Sequence, residues 1–419
     1  MTWLDDIVFQ HEEFEAPLSF WKWSALAAVS ATIKDQIWLD NWIYNLYPNI
    51  YVMLHADSGL KKGPPISMAH KMVSEVNNTR IIRGRASIQG ILKKLGEAQT
   101  QPGGVIMNKA VAFICSSELT SSIVSDPVAN DILTDLYDRN YNFGDWESLL
   151  KVENFKLKDP CITMLTATNE AHSSDFFTRK DTQGGYIART FIIHESKRNV
   201  INSLAAPPKF IPDHKKYADY LRELAKLKGP MEPLGSLTQS DVYKYPIIVK
   251  DETKWLSEVG KIYDEWYNQF IHTIDDSETR DTTGTLNRFG DSVLKVAILL
   301  SLTKKPELRI DTDSMREAIV ECEKLIGNVR KATLGRGKHI LAEEKGVLIE
   351  ELVRRDNHIM SREQLNKKYW MRASADEWDD VARSLEVAGI LRIESIGNQI
   401  IYRMPPNVYA QWENHLKGK

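Results

Sequence analysis

Four short apolar runs with strand character recur in the first half of the chain, and stretches with helical spacing separate the first of them. Runs of about five apolar residues bounded by turn-forming residues are typical of buried strands. Strands that alternate with helices predict an α/β fold, in which crossover connections join the strands of one sheet. The four predicted strands are Ile50–Leu54, Val111–Cys115, Ile162–Ala167 and Thr190–His194.

The length of 419 residues predicts two or three domains. Changes of pattern divide the chain into a helical lead-in (1–47), the α/β core (48–200), a connector and helical region (201–340) and a C-terminal domain (341–419). Hydrophobic residues make up 42% of the chain, enough to form real cores. The net charge of −3 means that any contact with nucleic acid must come from a local patch or a charged channel.

The three cysteines have no metal-site spacing, and Cys115 and Cys161 lie within apolar runs, so we expect buried thiols and no disulfide framework. Acidic residues interrupt the N-terminal region, which argues against a signal peptide. The longest apolar stretch, Val293–Leu302, is about half the length that a membrane span needs. These features predict a cytoplasmic protein without a membrane partner.

Aromatic residues recur at helical spacing near the N-terminus, where Trp21, Trp23, Trp38 and Trp42 stand out. Such a stripe can be a platform on which nucleic-acid bases stack, but it more often belongs to a hydrophobic core. We therefore predict that the lead-in packs on the α/β core that follows it.

The C-terminal domain has a pattern of its own. Two helices are predicted at 346–355 and 375–388, and Ser361 is placed to cap a further helix between them. The runs 390–394 and 399–403 alternate as two strands around a Gly-Asn turn. Three helices followed by a hairpin predict a winged-helix domain, which can bind duplex DNA or a protein.

Basic residues of this domain are candidate phosphate contacts, although acidic residues open its third helix and disfavour insertion of that helix into a major groove. The candidates are Arg362, Lys367, Lys368, Arg372 and Arg383.

A Gly/Pro/Lys segment, residues 56–64, joins the first predicted strand to a predicted helix at 66–76. A Walker loop, G-x-x-x-x-G-K-[ST], turns backbone N–H groups toward phosphates, and its Lys and hydroxyl contact the terminal phosphates and Mg²⁺. Lys62 occupies the Lys position. Ala56 and Lys61 replace the two glycines, and Gly63 replaces the hydroxyl residue.

Much of the physical requirement still holds at this segment. Gly59 and Gly63 supply permissive backbone, and a helix start attracts anions. Asp57 or Ser58 could provide the missing oxygen for the metal. An ordinary surface turn is the alternative interpretation.

Polar residues follow the next two predicted strands. Glu118 comes after Val111–Cys115 and two serines, where an acidic residue can hold Mg²⁺ and orient the attacking water. Asn169 ends the third strand and could hydrogen-bond this water or the γ-phosphate. Both residues could instead belong to simple strand-end turns.

Arg189 follows two glycines and precedes the fourth predicted strand. There it could reach the nucleotide of a neighbouring subunit as an arginine finger, or it could form an ordinary surface ion pair.

These segments, in their order and spacing, resemble a family of phage and mobile-element ATPases with a RecA-like core, described as helicases or primase-helicases. The resemblance covers about residues 15–330. The segments that carry it are YPNIYVMLHADSGLKKGPPISMA, AFICSSELTSSI, ILTDLYDRN, ITMLTATNEAHSSDFF, GGYIART and NRFGDSVLKVAILLSL.

The resemblance implies a RecA-like phosphate-loop core that hydrolyses ATP with Mg²⁺ at the interfaces of a homo-oligomeric ring such as a hexamer. It implies an ATP-dependent DNA helicase or translocase of phage or mobile-element replication, acting on single-stranded DNA in a central channel in the host cytoplasm, with or without replication partners. The implied nucleotide-binding residues are Ser58, Gly59, Lys61, Lys62, Gly63 and Pro64. The implied catalytic residues are Glu118, also the metal ligand, Asn169, Arg189 and, as a second trans-acting candidate, Arg288.

The basic segments 80–85 and 151–158 are candidate contacts to the DNA backbone, although such charge runs are more often solvated faces. Two alternatives to an ATP-dependent helicase or translocase remain. The first is a catalytically degenerate core that acts as a loader, adaptor or origin-binding scaffold, which the missing hydroxyl at Gly63 favours. The second is a transcription regulator, which the large size of the core disfavours.

Overall fold

The chain forms two compact units, Met1–Arg330 and Lys331–Lys419, in a computed structural model. The sequence-based segments 1–47 and 48–200 both lie in the first unit. The structure describes residues 1–41, 44–84, 86–100, 106–117, 127–138, 145–149, 154–169, 185–201, 211–236, 255–275, 286–334, 342–355, 357–369, 375–397, 399–406 and 408–409.

The first elements of the chain are α1 (Trp3–Gln10), α2 (Leu18–Ile33), β1 (Ile37–Asn41), β2 (Tyr44–Leu46), β3 (Tyr51–His55), α3 (Gly63–Val76), β4 (Arg80–Arg83), α4 (Ile88–Gly96), β5 (Gln99–Thr100), β6 (Ile106–Met107) and β7 (Val111–Ser116). They are followed by α5 (Pro127–Tyr137), β8 (Trp146–Leu149), β9 (Asn154–Leu157), β10 (Cys161–Thr168), β11 (Thr190–His194), α6 (His214–Leu224), β12 (Gly229–Pro230), α7 (Glu258–Asp275), α8 (Phe289–Lys304) and α9 (Thr312–Leu334).

A five-stranded sheet forms the centre of the first unit, in the order β11-β3-β10-β7-β4. All of its neighbouring strands pair in parallel. Every residue of β3 is buried, because a parallel sheet is covered on both faces. The four strands predicted from apolar runs are confirmed as β3, β7, β10 and β11. The α/β class with crossover connections is confirmed as well.

The fifth strand, β4, was not predicted from the sequence. It has only four residues, begins and ends with arginine, and lies at the sheet edge beside β7. The Arg80 side chain is buried and donates hydrogen bonds to the carbonyl oxygens of Leu95 and Glu97. Arg80 is therefore a structural residue, and the expectation that it contacts a DNA backbone is wrong. Arg85 lies outside the described residues.

The N-terminal aromatic stripe is part of the core. Helix α2 is buried along nearly its whole length, and it packs against β3, β10 and α3. Trp21 and Trp23 are 3% and 2% exposed, so the prediction of a core role is confirmed for them. Trp38 is partly buried, and Trp42 lies outside the described residues. All three cysteines are buried free thiols, as expected.

The longest apolar stretch of the sequence lies in α8, whose residues from Val293 to Thr303 are buried in the same core as α2. Among the described helices, none combines the length and the apolar character required to cross a membrane.

A charged group is buried beside this core, at the amino ends of the strands. The ammonium group of Lys295 donates to the backbone carbonyl oxygen (3.1 Å) and side-chain oxygen (2.9 Å) of Asn49. It also lies 3.8 Å from the ring centroid of Tyr137. Burial lowers the pKa of Lys295 to about 8, partly offset by the attraction of Asp291. We call Asn49, Tyr137, Asp291 and Lys295 the amino-edge junction.

The junction connects three elements of the fold. Asn49 precedes β3 and donates its side-chain amide to the Tyr137 carbonyl oxygen at the end of α5, at 3.2 Å. Asp291 and Lys295 lie on α8, and the Asp291 carboxylate accepts a 2.9 Å hydrogen bond from the Tyr44 hydroxyl. Burial raises the pKa of Asp291, while the hydrogen bond from Tyr44 opposes that rise. The amino end of β3 is thus tied to α5 and α8 by buried polar contacts.

The second unit is a small α+β structure. Its elements are α10 (Ala342–Arg354), β13 (Ile359–Ser361), α11 (Arg362–Tyr369), α12 (Ala375–Val387), β14 (Arg392–Ile396) and β15 (Gln399–Arg403). The strands form an antiparallel sheet in the order β13-β15-β14. The sequence predicted the three helices and the hairpin. It did not predict β13, a three-residue strand that pairs with β15.

The Ser361 cap is confirmed. The Gln364 N–H donates to Ser361 Oγ at 3.2 Å, and the Ser361 N–H donates to Gln364 Oε1 at 3.3 Å. This reciprocal pair is a capping box, with glutamine three residues after the cap. A core centred on Trp378, which is fully buried, holds the three helices against the sheet.

We predict that the free energy of unfolding rises with pH in the wild type above about pH 8, and that Lys295→Met removes much of this rise. The folded-state pKa of Lys295 is about 8 and the ordinary value is 10.5, so the unfolded chain binds the proton more tightly between these values. The free energy of unfolding therefore rises across that window, by roughly 3 kcal/mol for this group. Denaturant unfolding between about pH 8 and pH 10 should show a flatter profile for the variant.

The matched control is Lys305→Met, because Lys305 is exposed just beyond the end of the same helix. The control should keep the wild-type slope. An equal slope for the wild type and Lys295→Met would contradict the buried-ammonium interpretation.

Candidate functional site

The strand order places a crevice at the carboxyl ends of β3 and β10. After β3 the chain passes beyond β10 and β7 to the edge strand β4, whereas after β10 it passes beyond β3 to the opposite edge strand β11. The two neighbouring strands thus send their connections in opposite directions. In open parallel sheets, ligands bind at such a topological switch point. The loop after β3, residues 56–62, lies there.

The backbone of this loop explains two of its departures from the glycine pattern. Ala56 is buried, and its N–H donates to the Thr168 carbonyl oxygen at 3.4 Å, which extends the pairing of β3 with β10. Lys61 has a φ of 53°, in the left-handed region, and Gly59 has a φ of 95°. The position of the second Walker glycine therefore has the backbone conformation that favours glycine, although lysine occupies it.

The side chain of Lys62 points back over the loop. Its ammonium group donates to the carbonyl oxygens of Ala56 at 2.6 Å and Asp57 at 2.9 Å. The side chain of Lys61 instead extends into solvent, 51% exposed, with its ammonium group 3.8 Å from the Glu15 carboxylate. Of the two adjacent lysines, Lys62 is thus the one whose charge lies within the concavity of the loop.

Helix α3 begins directly after Lys62, with Gly63, Pro64 and Pro65 in its first turn. The first N–H groups of a helix have no partner inside the helix and can bind an anion. Proline has no N–H, so Pro64 and Pro65 remove two of these donors, and Lys62 and Gly63 carry the remaining ones. The helix start therefore offers fewer backbone donors to a phosphate than a typical Walker loop.

The other predicted residues at this edge lie on neighbouring strands. Asn169 directly follows β10 and is partly buried beside the loop-bearing strand. Ser116 ends β7 and pairs in register with Thr166 of β10. Glu118 follows two residues later and lies outside the described residues. The oxygen atoms of Ser58, Ser116 and Asn169 are of the kind that Mg²⁺ binds, directly or through water.

No group of three or more His, Cys, Asp or Glu side chains suited to a metal ion occurs in the part of the chain that the structure describes. Gly63 also supplies no hydroxyl at the position where a Walker loop holds Mg²⁺. Any metal here would therefore depend on Glu118, on hydroxyl or amide oxygens, and on the nucleotide itself.

A pair of histidines flanks the loop, and the sequence did not indicate it. His55 ends β3 and His194 ends β11, and the two residues are in register. Their Nδ1 atoms lie 2.8 Å apart, so one ring donates a proton and the other accepts it. Only the pairing of two distant strands brings them together.

The two candidate trans-acting arginines lie at the opposite, amino edge of the sheet. Arg189 directly precedes β11, and its guanidinium group contacts the Asp138 carboxylate and donates to the Gly185 carbonyl oxygen at 2.9 Å. Arg288 precedes α8, and its Nη1 atom lies 3.3 Å from the same Asp138 oxygen. Arg189 is 6% exposed and Arg288 is 42% exposed.

Three of the described basic residues proposed to contact DNA pair with acids. In the second unit, Arg362 binds Asp379 through two hydrogen bonds of 2.7 and 2.6 Å, and Lys368 lies 2.8 Å from Glu351. Lys156 of the segment 151–158 lies 2.9 Å from Glu147. Lys367 and Arg383 are partly or fully exposed, while Arg372 lies outside the described residues.

A cavity of about 480 Å³ lies elsewhere in the first unit, lined by residues 232–234, 257–259, 301, 304–305, 307 and 309–312. Its walls carry both acids and bases, several of them paired, such as Lys304 with Asp311 at 3.2 Å. The cavity shares no residue with the loop.

Comparison with protein-family models finds no match, and comparison with curated proteins finds no significant one. The chemistry of this site therefore rests on its own geometry.

We predict that Lys61→Gly gives a more stable protein than Lys61→Ala. Both changes remove the same side chain and its contact with Glu15, but only glycine adopts a φ of 53° without a steric cost. The left-handed conformation costs a non-glycine residue about 1 kcal/mol or more. Denaturant unfolding of the two variants should show this difference, and equal stabilities would contradict the described loop conformation.

Proposed function

We propose that this protein is an ATPase with a RecA-like core, which binds ATP at the loop after β3 and drives a DNA helicase or translocase of phage or mobile-element replication. The observation that carries the proposal is the ammonium group of Lys62, held over a loop with two left-handed positions at the switch point of the sheet.

The strand order is compatible with two kinds of nucleotide-binding core, Rossmann-like and RecA-like. A lysine in the loop after the first strand distinguishes them. In Rossmann-like cores the first loop binds a pyrophosphate through glycines and a helix start. A phosphate loop adds a lysine immediately before the helix, which reaches the terminal phosphates. Lys62 is the residue before α3 and points into the loop, which favours the RecA-like alternative.

Within this proposal, Lys62 and the N–H groups of Lys62 and Gly63 bind the phosphates. On nucleotide binding, the Lys62 ammonium group would exchange the two carbonyl oxygens to which it now donates for phosphate oxygens, with which it forms stronger charge-assisted hydrogen bonds. Glu118 orients the attacking water, and Asn169, at the end of β10, senses the γ-phosphate. Mg²⁺ would be bound mainly by the phosphate oxygens of ATP. Glu118 is the protein residue that we propose as its ligand.

The position of the two arginines supports the proposal that the protein acts in a ring. A strand of five residues spans about 16 Å, which exceeds the length of an arginine side chain. Arg189 and Arg288 lie at the amino edge and the loop lies at the carboxyl edge, so neither guanidinium group can reach the nucleotide of its own subunit. This position supports a role at the site of a neighbouring subunit, in a ring such as a hexamer.

We propose a winged helix for the second unit, because its order of helices and strands is typical of that domain. Its third helix, α12, exposes Asp376, Glu377 and Asp380, which would repel a DNA backbone. A contact with a replication protein is therefore the second role that this domain could have. Single-stranded DNA would be bound by the core of the first unit.

A catalytically inactive scaffold is the second candidate function. Two observations favour it: Gly63 offers no hydroxyl to a metal, and Pro64 and Pro65 remove two backbone donors from the helix start. Such a protein would bind a nucleotide weakly or not at all and would act as a loader or adaptor.

We expect Lys62→Ala to weaken ATP binding about tenfold to a hundredfold, since a charge-assisted hydrogen bond to phosphate contributes about 1.5–3 kcal/mol. Calorimetric titration with a non-hydrolysable ATP analogue and Mg²⁺ measures this. Lys71→Ala is the matched control, because Lys71 is an exposed lysine on the same helix α3 and should leave the affinity unchanged. Equal affinities of the two variants would refute the phosphate site.

ATP hydrolysis distinguishes the ATP-driven helicase or translocase from the catalytically inactive scaffold. The wild type should release phosphate from ATP, faster with single-stranded DNA, and Glu118→Gln should abolish turnover while it retains nucleotide binding, because the amide cannot activate water. Phosphate release measured with and without DNA tests this. A wild type that binds ATP without turnover would exclude the motor and leave the scaffold.

A further inference from the structure

The carboxylate of Asp138 forms ion pairs with both arginines at the amino edge of the sheet, Arg189 and Arg288. Its Oδ2 atom contacts Arg189 Nη2 and lies 3.3 Å from Arg288 Nη1. One negative charge thus faces two positive charges. The two guanidinium groups repel each other, and Asp138 is the acid that holds them together.

The two arginines differ in how firmly they are held. Arg189 is nearly buried and is fixed by a second hydrogen bond, to the Gly185 carbonyl oxygen. Among the described residues its Nε atom is buried and has no hydrogen-bond partner, which is further evidence that this side chain lies inside the fold. Arg288 is 42% exposed, and within the part of the chain that the structure describes its guanidinium group contacts Asp138. Arg288 is therefore the arginine that can be presented to another molecule.

Asp138 belongs to α5 by hydrogen bonding, since its N–H donates to the Thr134 carbonyl oxygen at 3.3 Å. Helix α5 follows β7, whose carboxyl end precedes Glu118, and it ends at the amino-edge junction beside Asn49. Its 11 residues span about 16 Å, from the catalytic side of the sheet to the arginine side. Asp138 thus directly follows a helix that runs from the edge of the sheet that carries the loop to the edge that carries the two arginines.

We propose that Arg288 is the residue that each subunit inserts into its neighbour's ATP site, and that Asp138 is the positioning residue that aims it. This inference rests on the proposed ATPase function. Arg189 is the buried member of the pair and serves to fix Asp138. An exposed guanidinium group held at one point by a carboxylate keeps its donors free for a phosphate, because five N–H groups are available and Asp138 uses one of them.

A test must separate the effect of Asp138 on a neighbour from any effect on its own subunit. Mixed rings achieve this with two kinds of subunit, each inactive alone. The acceptor carries Arg288→Ala and keeps its ATP site, while the donor carries Lys62→Ala and keeps its arginine. Only an acceptor site completed by a donor arginine can turn over ATP, so mixing should restore phosphate release.

The donor is then changed at Asp138 alone. With donor Lys62→Ala/Asp138→Asn, restored turnover should fall at least tenfold in kcat, with the KM for ATP unchanged, because the acceptor's own binding site is intact. Donor Lys62→Ala/Asp138→Glu, which keeps a carboxylate, should recover most of it. Donor Lys62→Ala/Asp131→Asn is the matched control, since Asp131 is exposed on the same helix, and it should behave as the unmodified donor.

Each result has a distinct meaning. Absence of turnover in the wild type would remove the proposed function itself. If the wild type hydrolyses ATP but the Arg288→Ala acceptor and the Lys62→Ala donor do not complement each other, Arg288 is not the trans-acting residue. Full or increased activity with the Asp138→Asn donor would refute the positioning role. Thermal unfolding of each donor, with the Asp138→Asn variant as stable as the Asp131→Asn variant, excludes loss of folding as the cause.

Discussion

The hydrogen bonds that hold β3 between β10 and β11 fix both ends of that strand at once. At its carboxyl end the pairing continues to Ala56, whose N–H donates to Thr168, so the loop begins from a rigid point. At its amino end Asn49 receives the buried ammonium group of Lys295 and contacts the end of α5. The candidate phosphate site therefore lies at one end of this fully buried strand, and the arginine pair lies at the opposite edge of the sheet.

Buried polar contacts at the amino edge have a cost that the rest of the core must offset. Burial lowers the pKa of Lys295 and raises that of Asp291, so each charge is less favourable than it would be in water. Apolar residues of similar size are often at least as stable as such groups, and the gain from polar groups is often a unique arrangement. Here the arrangement joins β3, α5 and α8, the elements that carry the loop, Asp138 and Arg288.

The loop itself combines features that favour and disfavour nucleotide binding. Its left-handed residue Lys61 keeps the turn that a glycine would normally make, at a cost in backbone strain. Lys62 is aimed inward, whereas the two prolines of α3 and the missing hydroxyl at Gly63 reduce the number of ligands for phosphate and metal. In the proposed ATPase, Lys62 and residues from a neighbouring subunit would balance much of the charge on the nucleotide.

The sequence by itself determined the local structure. Apolar runs predicted β3, β7, β10 and β11, because a buried strand needs a short stretch of such residues whatever its partners are. Helical patterns, the Ser361 cap and a Gly-Asn turn likewise predicted most of the second unit. Strands β4 and β13 were missed, since each is short and is stabilised by its pairing with a distant strand.

Only the tertiary structure decided which distant residues meet. The contact of His55 with His194, the burial of Arg80 and the sharing of Asp138 by Arg189 and Arg288 join residues far apart in the chain. No local pattern carries that information, because strand order and helix packing are set by long-range burial. The sequence could place Lys62 before a helix and Arg288 before another, but the opposite edges of the sheet at which they lie follow from the parallel order of five strands.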